Sequence, residues 1–148
     1  MNIKNILKFI LYLLPWFISS IIFKIDTNYY LNLNKPFFAP PPIIFAIIWP
    51  ILYLLITISV YKTLNKSNNK YKTNLLLNYI SNQLFTLFFF TLKNTALSLI
   101  NTTIILISSI ILYQETSKID NKNSKYLIPY ILWNQFATIL IFFIYIMN

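Results

Sequence analysis

The chain has 148 residues, 57% hydrophobic and only 10% charged, where a soluble domain carries roughly 25% charged residues. It holds no cysteine and no histidine, which removes disulfides, thiolate nucleophiles, imidazole bases and the usual zinc or haem ligands. The net charge of +9 comes from twelve lysines against Asp26, Glu115 and Asp120, so a carboxylate pair inside a bilayer, as in a proton-driven pump, is not available; no metal and no resident cofactor is expected.

A membrane span needs about 20 mostly apolar residues. Five segments fit, at about 6–23, 43–61, 74–92, 96–113 and 127–147, and no long polar stretch remains for a second domain. The expected fold is an all-α membrane protein, a single bundle of five transmembrane helices with a structured loop between the first two. The first segment is too long for a signal-peptide core and lacks a small-residue cleavage site. It contains Pro15 and Trp16. A proline is tolerated in a membrane helix where neighbours re-satisfy the freed carbonyl, and Trp16 is open between simple packing and a place in a cavity.

The connection 24–42 is long for a helical bundle. Tyr29, Tyr30, Phe37 and Phe38 and four prolines, Pro36, Pro40, Pro41 and Pro42, give it the composition of an ordered segment. Proline fixes its own backbone and pushes the preceding residue to an extended form. Two readings follow, a stiff lid over the bundle mouth and a simple entry into the second helix; they are compatible. In the second span Ala46, Trp49 and Tyr53 share one face, and Tyr130, Trp133 and Ala137 repeat that spacing in the fifth. In the third, Asn74, Asn78 and Asn82 form an i, i+4, i+8 stripe continued by Phe85 and Phe89. Asparagine inside lipid faces the bundle, either as interhelical hydrogen bonds or as part of a site. Tryptophan prefers the interface, so Trp49 and Trp133, placed deeper, point to an aromatic cavity or to helix packing. Loops at 62–73 and 114–125 read as solvated, and the short Lys93–Thr95 connection makes the third and fourth helices antiparallel neighbours.

Nine lysines, Lys4, Lys8, Lys62, Lys66, Lys70, Lys72, Lys118, Lys122 and Lys125, fall on one side of this topology and three, Lys24, Lys35 and Lys93, on the other. Cytoplasmic loops collect lysine, so the amino terminus is expected on the cytoplasmic side and the carboxyl terminus opposite. The charge thus reads as topology and attraction to membrane lipid, not as a nucleic-acid surface. The chain has 28 isoleucines, 17 asparagines and no glycine or arginine, the mark of A/T-rich coding, so its prolines, tryptophans and alanines carry the most information.

Those residues fall into a pattern. "YYLNLNKPFFAPPPIIFAIIWPILYLL" resembles the first loop and second helix of the translocator protein family, also called the tryptophan-rich sensory protein, TspO/MBR or peripheral benzodiazepine receptor family. Lys35, Pro36, Pro40, Pro41, Trp49, Leu52 and Tyr53 stand where the family has Lys-Pro-x-Trp-x-Pro-Pro and Trp-x-x-Leu-Tyr, with Tyr30 before them. "NQLFTLFFFTLK" and "LIPYILWNQFAT" are similar to two further segments, through Asn82, Phe89 and Phe90 and through Pro129, Tyr130, Trp133, Phe136, Ala137 and Thr138. Other family tryptophans are here Tyr29, Phe38 and Phe85, and two third-helix prolines are Thr86 and Leu87.

The resemblance implies a receptor or sensor that binds porphyrins and related flat lipophilic ligands in an aromatic pocket under the first loop, in tetrapyrrole transport or stress regulation, and a homodimer. The expected ligand-binding residues are Tyr30, Pro41, Phe45, Ala46, Trp49, Tyr53, Asn82, Phe85, Tyr130, Trp133 and Ala137, with Lys35 near the mouth for acidic substituents. A sterol partner is not favoured, because no Lys or Arg follows Tyr145 to complete the cholesterol-type motif. Two alternatives stand beside this reading: a light-dependent protoporphyrin-degrading enzyme using Trp49 and Trp133 as catalytic residues, and a passive carrier or structural bundle with no specific ligand.

Overall fold

The computed structural model describes residues 3–148 and is helical throughout, with six helices: α1 Ile3–Ile22, α2 Thr27–Asn32, α3 Pro42–Lys66, α4 over 69–91, α5 Thr95–Ile119 and α6 Asn121–Met147. The expected count of five differs from the observed six because the first loop holds a short helix of its own. Asp26 begins α2 by accepting the Tyr29 N–H at 2.9 Å, the role of an N-cap carboxylate. Asn68, Asn94 and Asp120 cap α4, α5 and α6 in the same way, so residues abundant through coding bias still mark helix starts. Pro42, at the first position of α3, needs no N–H there.

Two expected loops are mostly helix. α3 runs on to Lys66 and α4 begins at Asn69; α5 continues to Ile119 and only Asp120 separates it from α6. Polar residues end an apolar span without ending a helix. In α5 the extension is fastened where buried Glu115 meets Lys118 at 2.8 Å and Lys70 of α4 at 3.1 Å.

Four helices, α1, α3, α5 and α6, are long and apolar enough to cross a membrane. The expected span 74–92 lies on α4, which is less apolar because it carries Lys70, Lys72 and the asparagine stripe. Its asparagines turn inward: Asn74, Asn78 and Asn82 are buried, while Leu76, Leu77 and Ile80 are exposed. The same inversion holds for the whole molecule, with polar side chains such as Asn78, Ser109 and Thr116 inside and Ile21, Ile43, Ile100 and Leu132 outside. Lipid, not water, solvates such a surface.

Hydrogen bonds set the helix directions. Asn74 Nδ2 donates to the Ser108 carbonyl at 2.7 Å and Asn101 Nδ2 to the Ser81 carbonyl at 2.9 Å, which makes α4 and α5 antiparallel as the short connection requires. Asn123 Nδ2 donates to the Ser59 carbonyl at 2.9 Å and ties the start of α6 to the end of α3. The short connection between α4 and α5 turns at Lys93, whose φ of 52° is left-handed. Helices commonly end on glycine in this conformation. With no glycine in the chain, a lysine takes the position, held by its 3.0 Å ion pair to Asp26.

Candidate ligand-binding site

At the end of the bundle that carries the first loop, α1, α3, α4, α5 and α6 enclose a cavity of about 540 Å³, within the size range of small-molecule sites. Its walls are mainly aromatic. Trp49 of α3 lies against Tyr53 with ring centroids 5.5 Å apart, and Trp16 of α1 stacks on the same Tyr53 at 5.6 Å and 21°. Phe85 and Phe89 of α4 stack at 5.4 Å and 10°. From Leu87 to Thr91 α4 widens into a π-helical turn, at the place where the family pattern has prolines. The turn adds a residue to the helix, and both Phe89 and Phe90 line the cavity.

Beneath the cavity a hydrogen-bonded row crosses four helices, α3, α4, α5 and α6. Tyr53 OH donates to Asn82 Oδ1 at 3.0 Å, and Asn82 Nδ2 donates to Tyr130 OH at 3.2 Å. Tyr130 OH donates to Asn78 Oδ1 at 3.0 Å, and Asn78 Nδ2 donates to Ser108 Oγ at 2.8 Å. The asparagine stripe therefore serves interhelical bonding, and only Asn82 also reaches the cavity. Asn134, buried in the wall, has an amide nitrogen without a hydrogen-bond partner.

The first loop closes the mouth. Tyr30, 5% exposed, donates its hydroxyl to the Pro40 carbonyl at 2.8 Å and sets its ring edge-on to Phe45. Burial pushes its phenol up to about 12, so it remains a neutral donor. The Ala39 N–H bonds the Pro36 carbonyl at 3.0 Å in a tight turn, and Phe38 packs on Phe136 and Phe143 of α6. At the other edge Tyr29 sits edge-on to Phe89, and Asp26 pairs with Lys93. The Tyr29 N–H and then the Lys93 ammonium hold the Asp26 carboxyl below its usual 3.8.

Of the residues expected at a site, Tyr30, Phe45, Ala46, Trp49, Tyr53, Asn82, Phe85 and Ala137 line this one cavity. Three stand elsewhere. Pro41 is exposed and caps α3, while its neighbour Pro42 reaches the wall. Tyr130 is fully buried in the hydrogen-bonded row. Trp133 lies between Phe45 and Phe136, at 5.8 and 5.2 Å, and lines a separate groove with Ile51 and Leu132. Helical spacing identified the inward half of α6 but not how far each ring reaches past Phe45. Lys35 is also placed differently: its ammonium donates to the carbonyls of Tyr30, Leu31 and Leu33, each at 2.8 Å, and closes the end of α2. All three of its N–H donors are taken. Trp16, Phe90, Thr102 and Asn134 also stand in the wall without having been singled out as site residues; Trp16 carried a signal as a tryptophan away from the interface, and Phe90 through the family pattern.

Comparison with known proteins agrees with this architecture. The sequence profile of the TspO/MBR family matches residues 9–147. The chain is 36% identical over 151 residues to the tryptophan-rich protein TspO of Bacillus cereus, covering all of this chain and 99% of that one. It is 31% identical over 153 residues to the tryptophan-rich protein TspO of Archaeoglobus fulgidus, again across all of this chain and 99% of the relative. An uncharacterised membrane protein of Bacillus subtilis, YtaB, is 36% identical over 134 residues, 88% of this chain and 86% of its own length. With its apolar helices, its inverted distribution of polar residues and a match along nearly its whole length, this integral multi-pass membrane protein belongs to the TspO/MBR family.

Proposed function

We propose that the chain is a membrane receptor for flat, lipophilic ligands, with porphyrins as the ligand class, held in the cavity under the first loop. One observation carries the reading: the cavity joins aromatic rings from α1, α3 and α4 into one wall, Trp16, Trp49, Tyr53, Phe85 and Phe89, with a hydrogen-bonding edge at Asn82. Aromatic faces stack on planar ligands, and a few convergent polar groups fix orientation. With Lys35 occupied in capping, acidic substituents of a porphyrin extend past the lid to solvent instead of meeting a cation inside.

The reading includes five membrane crossings, α4 being the polar one shielded by its neighbours, with the amino terminus cytoplasmic, and it includes pairing into homodimers. The purified protein titrated with protoporphyrin IX should give a saturable absorbance change that competes with other planar lipophiles. No saturation below the solubility limit of the porphyrin would refute the reading and leave the passive or structural bundle. The placement of Trp49 in the wall supports a second reading, light-driven oxidation of the bound porphyrin with dissolved dioxygen as the electron acceptor. Under illumination this predicts a new absorbing product formed with turnover; binding alone predicts none.

A further inference from the structure

We propose that Trp16 is a ligand-contacting residue that sets the cavity's specificity for planar molecules, forming with Trp49 the indole wall that the sequence pattern assigns to Trp49 and Trp133. The inference rests on the reading of the cavity as a planar-ligand site and names the surface the ligand lies against.

Pro15 is where α1 departs from a regular α-helix. Proline has no N–H to give to the preceding turn and its ring disturbs the helix. α1 tightens at this point into a 3-10 stretch over Leu14–Phe17. The loosened backbone is taken up by α4. Tyr79 OH donates to the Pro15 carbonyl at 3.1 Å, and Gln83 Nε2 donates to the Trp16 carbonyl at 3.4 Å. Gln83 Oε1 in turn accepts the Ser19 N–H at 2.7 Å. One glutamine thus grips α1 within the break and just after it. This fixes the direction in which Trp16 leaves the helix.

That direction is inward. Trp16 is 4% exposed, while its α1 neighbours Leu11, Leu14 and Ile21 are 67%, 58% and 80% exposed. The indole is held by Tyr79, edge-on at 5.4 Å and 82°, and by the face of Tyr53. A ring so confined is pre-organised, and a ligand loses little to ordering it. Trp49 packs on the same Tyr53, so the three rings stand in contact in series, and all three line the cavity. Trp133, by contrast, stands beside Phe45 and faces a different groove.

The test uses the full chain in detergent or nanodiscs with protoporphyrin IX as the probe. Two readouts are taken: the dissociation constant from absorbance, and the circular dichroism induced in the Soret band. The second reports coupling of the porphyrin to nearby indole transitions and falls steeply with distance. Trp16→Ala should weaken binding about tenfold, at the upper end of an aromatic contact. Trp16→Phe keeps a stacking ring, so affinity should fall only about twofold, while the induced Soret signal drops markedly, Trp49 supplying the remainder. Trp133→Phe should leave both readouts unchanged. If Trp16→Ala fails to fold, the Soret signal of Trp16→Phe decides. Wild-type binding and Soret signal that survive both Trp16 substitutions would overturn the assignment alone, as would their loss in Trp133→Phe. Absence of saturable binding by the wild type would overturn the planar-ligand reading and the assignment with it.

Discussion

Asn78 shows how a residue forced by composition becomes structural. It receives the Tyr130 hydroxyl and gives its amide to Ser108 and the Ile105 carbonyl, so three helices meet at one fully buried side chain. Asn78→Ala should cost about 2 kcal/mol, because the buried partners left behind lose their bonds as well. Tyr53→Phe removes only the end link of the row and should cost about 0.6 kcal/mol, the average for an interhelical bond in a membrane. Unfolding in detergent by denaturant titration checks the contrast; equal losses would mean the row is not cooperative. Spacing alone placed Asn74, Asn78 and Asn82 on an inward face but left two uses open. Which use held depended on Ser108 and Tyr130, from helices distant in sequence. The roles of Trp16 and Trp133 were hidden for the same kind of reason: each depends on a neighbour, Gln83 in one case and Phe45 in the other, that periodicity does not reveal.

At the scale of the element, the first loop is a short helix with both ends fastened, Asp26 at its start and Lys35 at its finish. Its order was legible in the prolines and aromatic residues, but the helix was not, because six residues are too few for a hydrophobic period. Pro40→Ser with Pro41→Ser should raise ligand off-rates while leaving helix content intact, since the prolines restrict the open alternatives of the segment. Unchanged release would reduce them to a helix start. The Asp26 anchor gives a pH dependence. Its folded value lies below the ordinary 3.8, so its contribution is fully present above that value and is lost as pH falls through the depressed folded one. Amide exchange over residues 24–41 should therefore quicken in acid, corrected for intrinsic rates. Asp26→Asn should show a flatter profile at every pH in that window.

For the whole molecule, the lysines separate the two ends. The three nearest the cavity are Lys24, Lys35 and Lys93, and the last two are engaged with backbone carbonyls and with Asp26. Reporter fusions at Asn68 and Asn148 should land on opposite sides of the membrane, with the Asn68 side cytoplasmic; both on one side would remove α4 as a crossing. The overall arrangement was readable because apolar length and helix direction are local properties, whereas the extent of α5 beyond the lipid was not, since Glu115 is held by Lys70 from another helix. The cavity itself is not sealed on all sides. Its margin runs along exposed residues of α1 and α3, namely Ser20, Ala46 and Pro50, with Ile43 61% exposed. An occupant that crosses this margin comes from the acyl phase, so its supply is set by mole fraction in the bilayer and not by aqueous concentration. Apparent affinity measured against total ligand should then fall in proportion as vesicle lipid is added at constant protein, while affinity expressed per lipid stays constant.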